Sequence, residues 1–273
     1  MSPLTDIFFD LHVPGEPFVL ENAWDAASAA VFESEGAVAI GTSSAGMAWA
    51  LGYPDGEHIE PDELFDAIHR IVRVTHVPVS ADIEAGYGSS PGAVVHSVER
   101  TIHAGAVGAN LEDFDSQSGD LIPTEMFMER IRAVKARTEA LGLRFFINAR
   151  TDILLRDLGP EETRVDRTIE RLRAYSAAGA DGVFAPGTSD PRIIERIASS
   201  VDKPLNVLAG EDTPRMHELG ALGVARVSVG SSPMQRTLGV VRDIARELKR
   251  GTFAYARQSS IEYAELNAMF RQG

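Results

Sequence analysis

The sequence predicts a (β/α)8 barrel, and three observations carry that prediction. Eight short runs rich in apolar and β-branched residues recur along the 273 residues. Segments of helical periodicity fill the intervals, giving a repeating unit of about 25–35 residues. Glycines close the helical patterns just ahead of the strands, and X-Pro pairs open the next helices.

In chain order the strand candidates are FVLEN (18–22), AVAIGTSS (37–44), VPVSADI (77–83), GANLEDF (108–114), RFFINARTDI (144–153), DGVFAPG (181–187), PLNVLAG (204–210) and ARVSVGS (225–231). They read as continuous apolar runs rather than strict alternation, as strands buried on both faces do. Helical periodicity is clearest over 61–75, 124–142 and 161–179. Gly36, Gly105, Gly142, Gly179 and Gly220 stand where helix C-termini need a left-handed residue, and Ser90-Pro91, Gly159-Pro160 and Thr213-Pro214 stand where helices begin. The competing fold, an open doubly wound sheet, wants a glycine-rich phosphate turn after an early strand, and neither GxGxxG nor GxxxxGK occurs. The barrel is expected over about 16–250, with a helical extension over 251–273 carrying Ile261, Tyr263, Ala264, Leu266 and Phe270. That helix reads equally as a lid on the barrel bottom or as an arm packing on a neighbouring subunit. With no low-complexity linker, one domain over 1–273 is the economical reading.

Composition bounds the chemistry. There is no cysteine, which excludes disulfides, thiolate metal sites and a cysteine nucleophile. The formal net charge of −14 disfavours nucleic acid and anionic membranes as partners. No stretch reaches the ~20 apolar residues of a membrane span, and the first residues lack a basic leader, so a cytoplasmic protein is expected. The three lysines lie away from strand ends, which leaves no Schiff-base candidate, and none of the seven histidines sits at a strand end. His58, after strand 2, is the one histidine near the mouth, and a solvated loop position is its simpler reading.

In this fold, function resides where strands run out into loops. Asp82 and Glu84 are two residues apart at the end of strand 3, so on an extended strand they point the same way. Glu112 ends the neighbouring strand. Converging carboxylates repel unless they share a cation or a proton. Oxygen donors without cysteine suit Mg2+ first, then Mn2+ or Ca2+. The alternatives are ion pairs with local arginines or a glycosidase-type acid pair, although few aromatic platforms are available for sugars at 7% aromatic residues. Arg150 is the natural anchor for an anionic group, or else the partner of Asp152 or Glu112. The turn Thr42-Ser43-Ser44-Ala45-Gly46 offers hydroxyls and backbone N–H groups to a carboxylate or oxyanion. Gly86-Tyr87-Gly88 reads as a tight turn.

Four segments, GTSSAGMAWALGYPDGE, SADIEAGYG, GANLEDF and INARTD, in that order and spacing, resemble the isocitrate lyase / phosphoenolpyruvate mutase superfamily over nearly the whole chain. The resemblance implies a barrel whose eighth helix is swapped between subunits of a homodimer or homotetramer. It implies Mg2+ at the strand ends, with Mn2+ as substitute, and a small anionic 2-oxo acid as ligand. Carried over, Asp82 is the direct metal ligand, while Glu84 and Glu112 act through metal-bound water with Asp55 nearby. Ser43, Ser44 and Ala45 hold the carboxylate and oxyanion, with Thr42 beside them as a further substrate-binding candidate, and Arg150 faces the far end of the substrate. Ser43, Asp55, Glu112 and Arg150 form the expected catalytic set.

Two departures narrow this. The lyase branch carries a catalytic cysteine in the loop after strand 4, and here that loop is Phe114-Asp115-Ser116-Gln117-Ser118-Gly119-Asp120. The mutase branch carries a lysine and an asparagine in the same loop and a histidine after strand 6, where this chain has Ala185-Pro186. The expectation is a metal-dependent cleavage of a C–C or P–C bond beside the oxo group, through an enolate: decarboxylation, retro-aldol cleavage or phosphonopyruvate-type chemistry. A non-catalytic 2-oxo acid binder on the same barrel is the alternative, with a glycoside hydrolase behind it.

Overall fold

Every predicted apolar run forms a strand, and all but the first strand are shorter than their runs because the flanking residues bend into loops. The protein, here as a computed structural model, is described over residues 3–257 and 260–271. The part of the C-terminal extension at 258–259 and 272–273 lies outside the described residues. The chain runs α1 (Pro3–Asp10), β1 (Phe18–Ala23), α2 (Ala26–Ser34), β2 (Ile40–Thr42), α3 (Ser44–Leu51), α4 (Pro61–Val74), β3 (Val79–Asp82) and α5 (Pro91–His103). It continues through β4 (Gly108–Glu112), β5 (Phe114–Asp115), β6 (Asp120–Leu121), α6 (Thr124–Ala140), β7 (Phe146–Arg150), α7 (Glu161–Ala178) and β8 (Gly182–Phe184). It ends with α8 (Pro191–Ala198), β9 (Leu205–Leu208), α9 (Met216–Ala221), β10 (Val224–Ser228), α10 (Ser232–Lys249), a 3-10 turn (Ala254–Arg257) and α11 (Tyr263–Met269).

Eight of the strands close a parallel barrel in the order β1-β10-β9-β8-β7-β4-β3-β2, and β5 pairs with β6 as a small antiparallel hairpin. The outward faces of the strands and the inner faces of the surrounding helices form one continuous apolar layer that includes Ile40, Leu64, Ile68, Ile83, Ile131, Leu172 and Tyr175. Helix starts follow local chemistry. Asp25 caps α2 with a reciprocal Ser28 bond, Ser43 caps α3, and Ser90 caps α5 ahead of Pro91. Gly36, Gly105, Gly142 and Gly179 all take positive φ, as predicted. Gly220 does not terminate its helix: it lies inside α9, and Gly223 at φ 87° makes the left-handed turn instead. Pro160 is the residue before α7 rather than its first, and Pro214 stands two residues ahead of α9.

The N-terminal helix was not anticipated from sequence. It closes the bottom of the barrel, where Phe8 packs with Leu20, Ala39, Val107 and Phe146. His12 completes this plug. Its ring stacks on Phe146 at 4.0 Å between centroids and meets Phe8 and Phe18 edge-on at 4.8 and 5.0 Å. Nδ1 lies 2.7 Å from the carbonyl oxygen of Phe8. Within the chain, α11 lies against α2 in the outer ring. α10 is the outlier. Met234 is its one buried residue among those described, while Leu238, Val240, Val241 and Leu248 are exposed.

Burial, and then the charge of Arg226, push the His12 imidazole down to about 3 from its ordinary 6.5. Protonating it would place a charge among apolar rings. The stability it contributes is complete above pH 6.5 and falls by about 1.4 kcal/mol per pH unit as pH drops below 6.5 toward the folded value. Urea unfolding of wild type and His12→Phe from pH 7.5 to 5 should show wild type losing about 2 kcal/mol relative to the variant. Parallel pH profiles would contradict this role.

Candidate active site

The C-terminal ends of all eight barrel strands surround a cavity of about 240 Å3. Its lining includes Thr42, Ser43, Ser44, Ala45, Asp55, Asp82, Asn110, Arg150 and Arg226. This volume suits a ligand of a few carbon atoms rather than a sugar chain or a nucleotide. A second, much smaller cavity of about 40 Å3 adjoins the same residues, with Ser44, Asp55, Glu84, Glu112 and Arg150 in its wall. It has room for an ion or a water.

Asp82 is the best-fixed carboxylate. One oxygen accepts from Asn110 Nδ2 at 3.0 Å, and the other accepts from the Ser44 backbone N–H at 3.2 Å. Asn110 is itself held through its Oδ1 by Asn148 Nδ2 at 3.1 Å, so two asparagines set the carboxylate's orientation. The Asp82 backbone N–H donates to the Thr42 hydroxyl at 2.8 Å, which ties β3 to β2 at this level. Thr42 therefore braces Asp82 as well as lining the cavity.

Glu84 reaches the site by a different route from the one its spacing suggested. β3 ends at Asp82, and Glu84 sits in the left-handed region at φ 51°. Its orientation comes from partners: Oε1 accepts from the Tyr87 hydroxyl at 2.9 Å and Oε2 from the Glu57 N–H at 2.7 Å. The Tyr87 N–H donates in turn to Glu57 Oε1 at 2.6 Å. Glu57 and Tyr87 also have positive φ, at 58° and 53°. Three non-glycine residues in a costly conformation thus hold one another, a pattern that belongs to sites rather than to ordinary loops. Burial, followed by the charges of Asp82 and Asp55, pushes the Glu84 carboxyl up to about 8.

Glu112 is buried and pairs with Arg150 at 2.9 Å. Burial raises its carboxyl well above the usual range against the pull of that arginine, and Asp152, Asp82 and Glu84 add to the effect. Arg150 also grips Asp152 with two bonds, Nε–Oδ1 at 2.5 Å and Nη2–Oδ2 at 2.9 Å. Both ion-pair alternatives weighed for Arg150 therefore occur together. Three of its five N–H groups are used, which leaves two for a ligand. Asp55 stands at the mouth with its carboxyl turned into the wall, where partial loss of hydration, and then the Asp82 charge, raise it.

The turn after β2 is the N-terminus of α3. Ser43 caps it by accepting from the Gly46 N–H at 3.1 Å. The Ser44 N–H is bonded to Asp82, and the Ala45 N–H meets no acceptor among the described residues. This leaves one amide at the positive end of a helix, at the cavity wall. The loop after β4 is the β5–β6 hairpin. Asp115 is spent on the hairpin itself, accepting from the Gln117 N–H and the Ser118 hydroxyl at 2.9 and 2.8 Å. Ser116 donates to the Gly56 carbonyl at 2.9 Å and joins the hairpin to the loop that carries Asp55. His58 is exposed and lines an outer vestibule with Glu57, Tyr87 and Gln117. Among the described residues no three His, Cys, Asp or Glu side chains form a cluster able to hold an ion by themselves.

Sequence reasoning missed Asn110, Asp113, Glu57, Tyr87, Arg156 and Arg226. Asp113 anchors the hairpin from below: its carboxylate accepts from the Tyr175 hydroxyl at 2.6 Å, Arg171 at 2.9 Å and the Asp152 N–H at 3.1 Å. Its place beside Glu112 at a strand end was the available signal. Asp113→Asn should cost about 3 kcal/mol in urea unfolding, because Arg171 loses its buried counter-charge. A loss under about 1 kcal/mol would show the anchor to be dispensable.

The family model described as phosphoenolpyruvate phosphomutase matches residues 8–249. An uncharacterized protein of Mycobacterium tuberculosis is 37% identical over 261 residues, covering 96% of this chain and 95% of that one. The oxaloacetate decarboxylase of Bradyrhizobium sp. is 32% identical over 238 residues, covering 84% and 78%. Among solved structures, a Burkholderia cenocepacia protein provisionally named a phosphonomutase is 38% identical, covers 90% of this chain and 100% of its own, and superposes with a TM-score of 0.86. The chain belongs to the phosphoenolpyruvate mutase / isocitrate lyase superfamily of lyases and mutases.

Proposed function

We propose that this protein is a divalent-metal-dependent lyase that cleaves the bond beside the oxo group of a small 2-oxo acid, with oxaloacetate decarboxylation as the first activity to test. The observation that carries the reading is the oriented carboxylate of Asp82 beside the free Ala45 amide and Arg150, around one small cavity. The decarboxylase relative points to the substrate.

The donor set fits a hard cation. Asp55, Asp82, Glu84, Glu112 and Asp152 gather at the strand ends with Arg150 and Arg156 among them, and burial, with neighbouring carboxylate charge adding to it, raises Asp55, Glu84 and Glu112. Asp82 would hold the ion directly, with Glu84 and Glu112 acting through its waters. Mg2+ favours this arrangement, since it keeps several waters and few protein ligands. Mn2+ would substitute. When bound, such an ion supplies Lewis-acid polarisation of the 2-oxo acid.

The chain's own groups do the rest. The Ala45 N–H, at the end of the α3 dipole, faces the developing negative charge. Ser43 keeps that amide in place through its cap. The two spare N–H groups of Arg150 orient the far acid group. In decarboxylation the C3–C4 bond breaks and its electron pair forms the C2–C3 double bond of the enolate as CO2 leaves. A proton then returns to C3, and Asp55, a carboxyl at the cavity wall by the mouth, is the candidate donor. The hairpin bond from Ser116 to Gly56 keeps Asp55 over the cavity.

The subunit itself looks incomplete. Met234, Leu238, Val241, Ala245 and Leu248 fall at alternating steps of four and three along α10, a stripe suited to a helical partner surface. The large residues of the stripe beyond Met234 are exposed. We read this as the eighth barrel helix given to a second copy of the chain, in a homodimer or homotetramer.

Asp82→Ala should abolish oxaloacetate turnover while thermal unfolding stays that of a folded protein, and EDTA should silence wild type reversibly. Undiminished turnover in the variant, indifferent to EDTA, would end the metal-lyase reading, and tight binding of 2-oxo acids without turnover would favour a binding protein. Light scattering should give a dimer or tetramer for wild type. Leu238→Glu with Val241→Glu should lower the mass to one subunit; a monomeric wild type would refute helix exchange.

A further inference from the structure

Among the described residues, Arg226 is the one charged residue that points into the barrel from the middle of a strand. It lies on β10, opposite Phe18 of β1 and Asn206 of β9, one inward-facing position below Ser228. It is 2% exposed and lines the same cavity as Asp82, Ala45 and Arg150. Its Nε and Nη1 are buried with no hydrogen-bond partner, and it forms no salt bridge among the described residues. The inward groups around it are already committed. Asn206 and Ser228 bond each other at 3.0 Å, and Asn22 serves the Thr42 carbonyl and the N–H groups of Val229 and Gly230. Below it lies His12, kept neutral in the plug, and above it Asp82, bonded to Asn110 and Ser44.

A buried guanidinium with unpartnered donors is among the most expensive arrangements in a protein interior. Stability alone selects against it, since an apolar side chain of similar size would fill the space without that cost. The side chain lines a cavity open to small ligands, so the missing partner is something that enters it. A guanidinium binds carboxylate or phosphonate oxygens through paired N–H groups.

We propose that Arg226 is a second anion anchor, receiving an acid group of the bound ligand from the cavity floor while Arg150 serves another at the wall. This rests on the reading of the cavity as a 2-oxo acid site. With two arginines at different depths the site selects ligands carrying two acid groups over those carrying one. A monoacid leaves one guanidinium buried and unpaired. Arg226 then acts as a specificity-determining residue, whatever bond is cleaved.

The test compares pyruvate with 3,3-difluorooxaloacetate, a four-carbon 2-oxo diacid, by calorimetry in the presence of Mg2+. Wild type, Arg226→Met and Arg226→Lys are used as full-length protein. In Arg226→Met, diacid affinity should fall about 10–100-fold, the range expected for a lost charge-assisted pair, and pyruvate affinity by less than about 3-fold. Arg226→Lys should recover part of the diacid preference. The ligand-free Tm of Arg226→Met should equal or exceed that of wild type, because an unpaired charge has been removed and no protein bond lost. A purely structural arginine predicts the reverse: a lower Tm and equal weakening of both ligands, which would overturn the proposal.

Should Arg226→Met not fold, the Nε–H resonance of Arg226 in 15N-labelled wild type, assigned with Arg226→Lys, decides the matter. It should shift with the diacid and stay in place with pyruvate; no shift with the diacid overturns the proposal. If wild type binds both ligands and the preference survives substitution, only Arg226 is refuted. If wild type binds neither, the 2-oxo acid reading fails and this inference fails with it.

Discussion

Mutual repulsion among the strand-end carboxylates is the constraint that organises this molecule. At a separation of about 5 Å and an effective dielectric of 20, one pair of like charges costs about 3 kcal/mol. Asp82 and Glu84 each feel the other and both Asp55 and Glu112 through partly desolvated space. The surrounding architecture answers that repulsion in different ways. Asn110 and Ser44 donate to Asp82, Tyr87 and Glu57 donate to Glu84, and Arg150 neutralises Glu112. What they leave unanswered is a local excess of negative charge around a space of ion size. A site that merely needed stability would have spent fewer carboxylates.

The same demand explains the barrel's interior. Barrels of this kind usually fill their centres with layers of branched apolar side chains. Here Asn22, Ser80, Asn110, Asn148, Asn206, Arg226 and Ser228 point inward or bond across the centre. A polar centre cannot supply the hydrophobic drive, so the layer between strands and helices and the α1 plug must do so. Function is thus confined to the inner and upper space, and stability to the outer shell and the base.

How much of this the sequence disclosed depends on the kind of signal. The eight strands were legible because their outward residues are apolar and β-branched enough to register as runs, and glycine punctuation fixed their spacing. Asp82 and the Ser43–Ala45 turn were legible because polar residues at the end of an apolar run have few other reasons to be there. Glu84 was identified by a period-two argument that fails, since the strand stops at Asp82 and a left-handed residue re-aims the side chain. Of its true supports, Tyr87 follows in the same turn, while Glu57 comes from a loop 27 residues earlier, and no local pattern encodes that second contact. Asn110 and Arg226 were hidden for the opposite reason. Each sits within an apolar run, and in a barrel a lone inward polar residue resembles the outward ones until the register is known. The α1 plug was missed because its eight residues precede the first strand and belong to no repeat.

The floor of the barrel joins the two halves of the design. Arg226 lies between the active-site carboxylate above it and the His12 plug below. Its positive charge is useful to an anionic ligand and hostile to a second cation, and it contributes to holding His12 neutral. A neutral imidazole can stack on Phe146 and close the base, whereas an imidazolium there would repel the arginine and lose its hydration together. The fold therefore tolerates its most costly buried charge by surrounding it with groups that do not compete for it. Asn206 and Ser228 satisfy each other, and Asn22 satisfies the backbone. An arginine isolated in this way is left free to respond to what enters from the mouth, which makes the base of the barrel part of the recognition surface as well as its seal.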